Sequence, residues 1–237
     1  MTENPLRSFS PAVEDYVKAV YKIQSQGETV STNAVSVKMK TSPAAASKMF
    51  KYLAEIRLIE YTPYYGARLT AAGEKVALEV IRHHRLLELY LHQALGYGWD
   101  EVDAEAEKLE HHISEEFEAR IDAMLDFPLV DPHGEPIPTR EGSIAPLRGN
   151  PLVDAEPGQV VEVLRVRDSS PDILRFLSNL GVRLHSVLAV EAKQPFNGPL
   201  TIRIDEKEHV LGRELASHVF VEPCSSNEKE ETKCVVS

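Results

Sequence analysis

Only two cysteines occur in this 237-residue chain, Cys224 and Cys234, and both lie in its polar C-terminal stretch. They offer no disulfide framework and no chelating cluster, which favours a reducing, cytoplasmic setting. No apolar run approaches the ~18 residues that a membrane span requires, so a transmembrane helix is excluded. The opening MTENPLRSFS has no apolar core segment and does not read as a signal peptide. Internal repeats are missing. So are the common catalytic signatures: there is no H-E-x-x-H, no nucleophile elbow and no phosphate-binding glycine loop. Excess positive charge is also lacking, since the formal net charge is −11.

That charge is unevenly spread. Residues 1–75 carry 10 Lys and Arg against 7 Asp and Glu, a net of +3, while residues 76–237 carry 16 against 30, a net of −14. A basic segment on an acidic remainder can still meet phosphate locally. With 43% apolar residues the chain suits a soluble globular protein of two or three small domains.

Ser10-Pro11 and Ser42-Pro43 each read as a helix cap followed by proline at the first helical position. Val13, Val17, Val20 and Tyr21 give a helical stripe to about Gln24, and Ser31 caps a short helix to Met39. A third helix, about 43–55, buries Ala46, Met49, Phe50 and Leu53. LIEYTPYYGARLT (residues 58–70) then reads as two short strands around a Tyr-Tyr-Gly turn. Three helices and a two-stranded wing make a winged helix-turn-helix, whose third helix would enter the major groove. Ser42, Pro43, Ala44, Ala45 and Ser47 permit close approach to bases, while Lys48, Lys51 and Arg68 are placed for phosphates.

A long helix, roughly 71–95, and another from about 101 to 125 follow. They hold more apolar surface than a small head domain covers, which predicts a dimer interface. On the second helix Asp103, Glu107, Glu110 and His111 fall within one arc of about 100°. Carboxylates and an imidazole on one face make a half-site for a divalent metal, and His84 and Glu88 form a second pair on the preceding helix. Residues 127–157, rich in proline and glycine, read as extended linker. QVVEVLRVR, VLAVEAK, LTIRID and HVFVEP supply strands around the short helix PDILRFLSNLGV, which predicts a small β-barrel. The polar tail, residues 224–237, is expected to be disordered.

SPAAASKMFKYLAEIRLIEYTPYYGARLTAAGEKVA, RHHRLLELYL, EAEKLEHHIS and FPLVDPHGEPIP follow in the order seen in the diphtheria-toxin-repressor family of bacterial metal-dependent repressors, which the chain closely resembles over residues 8–140. The last module resembles that family's SH3-like domain, related to the ferrous-transport accessory protein. The fold implied is mainly α. It comprises a winged helix-turn-helix head (1–73), a helical metal-binding and dimerisation domain with linker (74–148), an SH3-like β-barrel (149–223) and the tail.

The resemblance implies a homodimer that binds palindromic operator DNA when loaded with Fe²⁺ or Mn²⁺ and represses metal-uptake genes. It implies no membrane and no small-molecule substrate. By position, Asp15, Glu107, Glu110 and His111 match ligands of the core site, and His84 and Glu88 those of the neighbouring site. Asp103 matches a position that is histidine in the iron-responsive branch, and Asp168 is a weaker candidate. Oxygen donors at Asp15 and Glu107, where the iron-responsive branch has sulfur, favour Mn²⁺ over softer ions. Lys18 departs from the manganese-responsive members, which carry glutamate there, and is expected to pair with a site carboxylate. Two rival readings are a metal-dependent hydrolase and a metal-independent regulator. Metal-dependent operator binding without hydrolase activity separates all three.

Overall fold

The computed structural model describes residues 9–167 and 170–224. Asp168 and residues 225–237 of the predicted tail therefore lie outside the described residues. The chain divides into two compact units. One comprises the residues up to Leu87 with Ala104–Leu129 and Ile137–Ala145, and the other Glu88–Asp103, Val130–Pro136 and the chain from Pro146 onward.

In the first unit, α1 (Pro11–Gln24), α2 (Thr32–Lys38) and α3 (Pro43–Glu55) precede the hairpin of β1 (Ile59–Thr62) and β2 (Gly66–Leu69). The caps work as their sequences suggest at two of the three starts. Ser31 and Ser42 hydroxyls accept from the amides of Ala34 and Ala45, each at 3.1 Å. Ser10 contributes only its extended backbone, its carbonyl accepting from Val13. Val13, Val17 and Val20 pack with Val35, Ala46, Phe50, Leu53, Leu58 and Ile59 into one core. Burying a side chain such as Phe50 contributes about 2–3 kcal/mol. The hairpin is antiparallel from Ile59↔Leu69 to Thr62↔Gly66.

α4 (Ala71–Leu95) follows. Most of its large apolar residues, among them Val76, Val80, Ile81, Leu86 and Leu87, are buried within the single chain, so α4 is not the bare face expected from its length. Beyond α4, this unit exposes the apolar side chains of Phe117, Met124, Phe127 and Leu129.

The single helix expected over 101–125 is two, α5 (Val102–Leu109) and α6 (Glu115–Met124). Ser114 accepts from the Phe117 amide at 3.1 Å and starts α6 afresh, and the intervening turn carries Glu110 to Ile113. Arg82 of α4 locks α6 in place. It donates to Glu118 and Asp122 at 2.6 Å each and to the Pro138 carbonyl at 2.8 Å.

The second unit is built on a six-stranded antiparallel sheet, in the order β3 (Asn150–Pro151), β8 (Val219–Pro223), β4 (Val160–Val166), β5 (Val187–Lys193), β6 (Leu200–Ile204), β7 (Lys207–Leu211). α7 (Pro171–Asn179) and α8 (Arg213–His218) complete it. Val161, Val163, Leu174, Leu177, Leu188, Ile202 and Val219 form its core. β7 and α8 go beyond the strands and helix read from sequence, because KEHVL and RELASH are too polar and short to show a clear period. Nor are residues 127–157 bare linker, since Asp131, His133 and Ile137 are buried. Among the described residues, no helix is long and apolar enough to cross a membrane.

Candidate metal centre

Glu14, Asp15 and Lys18 of α1 meet the turn that ends α5. Residues three apart share a helix face, so Asp15 and Lys18 point the same way. His111 is held between the two acidic residues: Nδ1 donates to Glu14 Oε2 at 2.6 Å and Nε2 to Asp15 Oδ1 at 2.8 Å. Glu110 Oε1 lies 3.3 Å from the same Nε2. Burial alone disfavours the imidazolium. Hydrogen bonds to Asp15 and Glu14 and the charge of Glu110 outweigh it, and the His111 pKa is pushed up to about 10. A proton on His111 thus offsets the gathered carboxylates in the metal-free protein.

Asp15, Glu110 and His111 each offer a ligand atom within 4.8 Å of the others, and so do His84, Glu107 and Glu110. Glu110 belongs to both groups and its side chain is fully buried. It accepts from His84 Nδ1 at 2.6 Å and from Lys18 Nζ at 2.8 Å on each oxygen. Burial would raise its pKa, but the His84 hydrogen bond and the charges of His84 and Lys18 hold it below the usual carboxylate value. Lys18 Nζ also donates to Glu107 Oε2 at 2.7 Å. Burial would lower the Lys18 pKa, and the charges of Glu110 and Glu107 turn the net shift upward.

The donor chemistry fits a hard divalent cation. Two carboxylates and an imidazole suit Mn²⁺ or Fe²⁺ better than a thiophilic ion, and the Glu14 contact at Nδ1 resembles the carboxylate that orients a ligating histidine.

Of the residues singled out in the sequence, Asp15, His84, Glu107, Glu110 and His111 come together here. Glu88 and Asp103 belong to the second unit. There, Glu88, Asp131 and His133 gather ligand atoms within 4.8 Å, all three buried. His133 Nε2 donates to the Trp99 carbonyl at 2.7 Å, which leaves Nδ1 facing Glu88 Oε1 at 3.8 Å. Asp131 Oδ1 accepts from the amides of His133 and Glu135. Gly134 makes the turn possible, with φ 85° and a Cβ position that would overlap the Leu164 carbonyl. In the sequence, D-P-H-G stands out only as part of the family resemblance. Its Asp and His two residues apart, closed by a glycine, were the available signal. Glu14 was missed because it carries no motif.

The head presents a separate surface. On α3, Pro43, Ala44, Ala45, Lys48 and Lys51 are exposed and Ser47 half-buried, while Ser42 is exposed and occupied in capping. Arg68 of β2 is exposed and sits opposite Glu60. Tyr64 and Tyr65 stand bare at the tip of the wing, 105% and 84% exposed.

Residues 8–67 match the family described as Iron dependent repressor, N-terminal DNA binding domain, and residues 70–139 its metal binding and dimerisation domain. Over 89% of this chain and 99% of the other, a solved manganese-dependent transcriptional repressor in complex with manganese is 36% identical, with a TM-score of 0.80. This chain belongs to the iron-dependent repressor family. As a family member it is related to metal-dependent transcriptional repressors that join a DNA-binding domain to a metal-binding and dimerisation domain. Its C-terminal sheet domain, residues 150–223, matches the FeoA domain. The manganese regulator SloR is 31% identical over 91% of this chain and all of that one, with a TM-score of 0.73. The iron-dependent repressor IdeR of Mycobacterium leprae (strain TN) is 27% identical, over 88% of this chain and 96% of its own length. Repressors of this family thus include proteins named for manganese and for iron.

Proposed function

We propose that the chain is a homodimeric repressor that binds palindromic operator DNA when Mn²⁺ is bound, with Fe²⁺ as the alternative metal, and that it controls metal uptake. One observation carries this reading: Asp15 on the first helix of the DNA-binding head converges with Glu110 and His111, just beyond α5. Asp15, Glu110 and His111 would hold the ion, which supplies the positive charge that lets these carboxylates share one site. In its absence Glu14 and Asp15 depend on the His111 proton, and metal binding must release it. A cation prefers the arrangement in which both segments contribute donors, so its differential affinity stabilises one position of the head.

Held in that position, two heads of a dimer meet successive half-sites, and operator affinity rises without new base contacts. α3 supplies the groove-facing surface, with Ser42, Pro43 and Ser47 at the base edges and Lys48, Lys51 and Arg68 on phosphates. Phe117, Met124, Phe127 and Leu129 give the exposed apolar face that a second copy would cover. Glu88, Asp131 and His133 form a second candidate cation site, and the C-terminal sheet domain is read as SH3-like. Isothermal titration of Mn²⁺ into chelator-treated protein tests the core assignment. His111→Ala should abolish one class of sites while leaving the fold intact by circular dichroism. An unchanged isotherm would remove His111 from the ligands.

A further inference from the structure

The two donor groups around Glu110 are not equivalent. In the first, Asp15 Oδ1 and Glu110 Oε1 lie 2.8 and 3.3 Å from His111 Nε2. The other group, His84, Glu107 and Glu110, already surrounds a cation of the chain's own. Lys18 Nζ lies 2.7 Å from Glu107 Oε2, 2.8 Å from both Glu110 oxygens and 3.4 Å from His84 Nδ1. These are the same three residues that would ligate an ion there. The Lys18 side chain is 6% exposed, and it rises from α1 between the buried Val17 and Ala19.

We infer that the Lys18 ammonium is a tethered cation that fills the His84–Glu107–Glu110 pocket, so that the centre beside α1 takes one metal ion per chain rather than two. The inference rests on the proposed metal reading of Asp15, Glu110 and His111. The geometry makes lysine and a second ion exclude one another. A divalent ion sits about 2.0–2.2 Å from carboxylate oxygens, and Lys18 Nζ, 2.7 Å from Glu107 Oε2 and 2.8 Å from both Glu110 oxygens, already places a positive charge where those carboxylates would hold one. Leaving the pocket would strip the ammonium of two carboxylates while its stem stays buried. Placed one turn apart on α1, Asp15 supplies a ligand and Lys18 a counter-charge, and Glu110 serves both.

The test counts Mn²⁺ in the full-length protein carrying His133→Ala, which removes a donor of the separate Glu88–Asp131–His133 cluster. With Lys18 present, elemental analysis after dialysis should give one ion per chain, and electron paramagnetic resonance the spectrum of isolated Mn²⁺. Lys18→Glu in the same background should take up a second ion and show exchange coupling, because Glu110 would then bridge the pair. A coupled pair with Lys18 in place overturns the inference and leaves the core metal reading standing. A folded Lys18→Glu protein that still holds one ion overturns it too. Should Lys18→Glu not fold, Lys18→Gln replaces it: a second ion supports the inference, and an unchanged count overturns it. No bound Mn²⁺ in any of these proteins would instead sink the metal reading itself.

Discussion

Replacing Glu110 by glutamine keeps the side-chain shape and removes one charge from the point where both donor groups meet. The Glu110 side chain is fully buried, whereas that of Glu107, the other carboxylate on Lys18, is 53% exposed. Breaking a buried pair by neutralising one partner costs about 3–5 kcal/mol, because the remaining charge is left in a poor environment. Lys18 keeps Glu107 and a glutamine carbonyl can still accept, so Glu110→Gln should cost less than that, about 2–3 kcal/mol in chelator. Glu107→Gln removes an ion pair on the wetter side and should cost less than about 1 kcal/mol.

The metal adds a second readout. In the wild type, Mn²⁺ at a hundred times its Kd should add about 2.7 kcal/mol, and Glu110→Gln should lose that increment. Urea unfolding followed by far-ultraviolet circular dichroism measures both, since Trp99 fluorescence would report on the second unit instead. If Glu110→Gln matched the wild type in chelator and kept its manganese stabilisation, the shared-carboxylate reasoning would be refuted.

Other consequences follow from particular contacts. Arg82 and His83 hold the Glu118 pKa down to about 2 although burial opposes this. Its folded value lies below its unfolded one, so the stabilisation, about 3 kcal/mol, is present at neutral pH and lost as pH falls from about 4.5 toward 2. The stability gap between wild type and Glu118→Gln in urea titrations should therefore close across that window. Phe127→Asp, at a side chain 65% exposed, should shift sedimentation from dimer to monomer without loss of helicity; an unchanged dimer would place the interface elsewhere. Lys51→Ala should weaken binding to all sequences alike and lower the salt slope by about one unit, which a fluorescence-anisotropy series in salt will measure.

Much of the head was legible in the sequence because its signals are local. Serine followed by proline marks two helix starts, the 3.6 period marks the core stripe of α1, and Tyr64-Tyr65-Gly66 marks the wing tip. The E-x-x-E-H spacing likewise pointed to Glu107, Glu110 and His111. The break after Leu109 was harder to see, because a continuous helix satisfies the same spacing and only Ser114 betrays the restart. That break decides the chemistry, since it turns His111 toward Glu14 and Asp15, 97 and 96 residues away in sequence. No local pattern encodes such a pairing. The cluster of Glu88 with Asp131 and His133 was hidden for the same reason, and proline and glycine around it made a buried turn look like linker. Surface misled in another way: α4 has enough apolar residues for an interface, yet the chain's own packing consumes them.

The proposed switch is a cation that joins Asp15 of the DNA-binding head to Glu110 and His111. Its most direct test is an operator titration in chelated buffer and again with Mn²⁺ restored, comparing wild type with Asp15→Ala at protein concentrations where sedimentation shows both to be dimers. Both proteins should bind weakly in chelator, with strong recovery on adding Mn²⁺ only in the wild type. Equal recovery in Asp15→Ala, or full wild-type affinity in chelator, would contradict it.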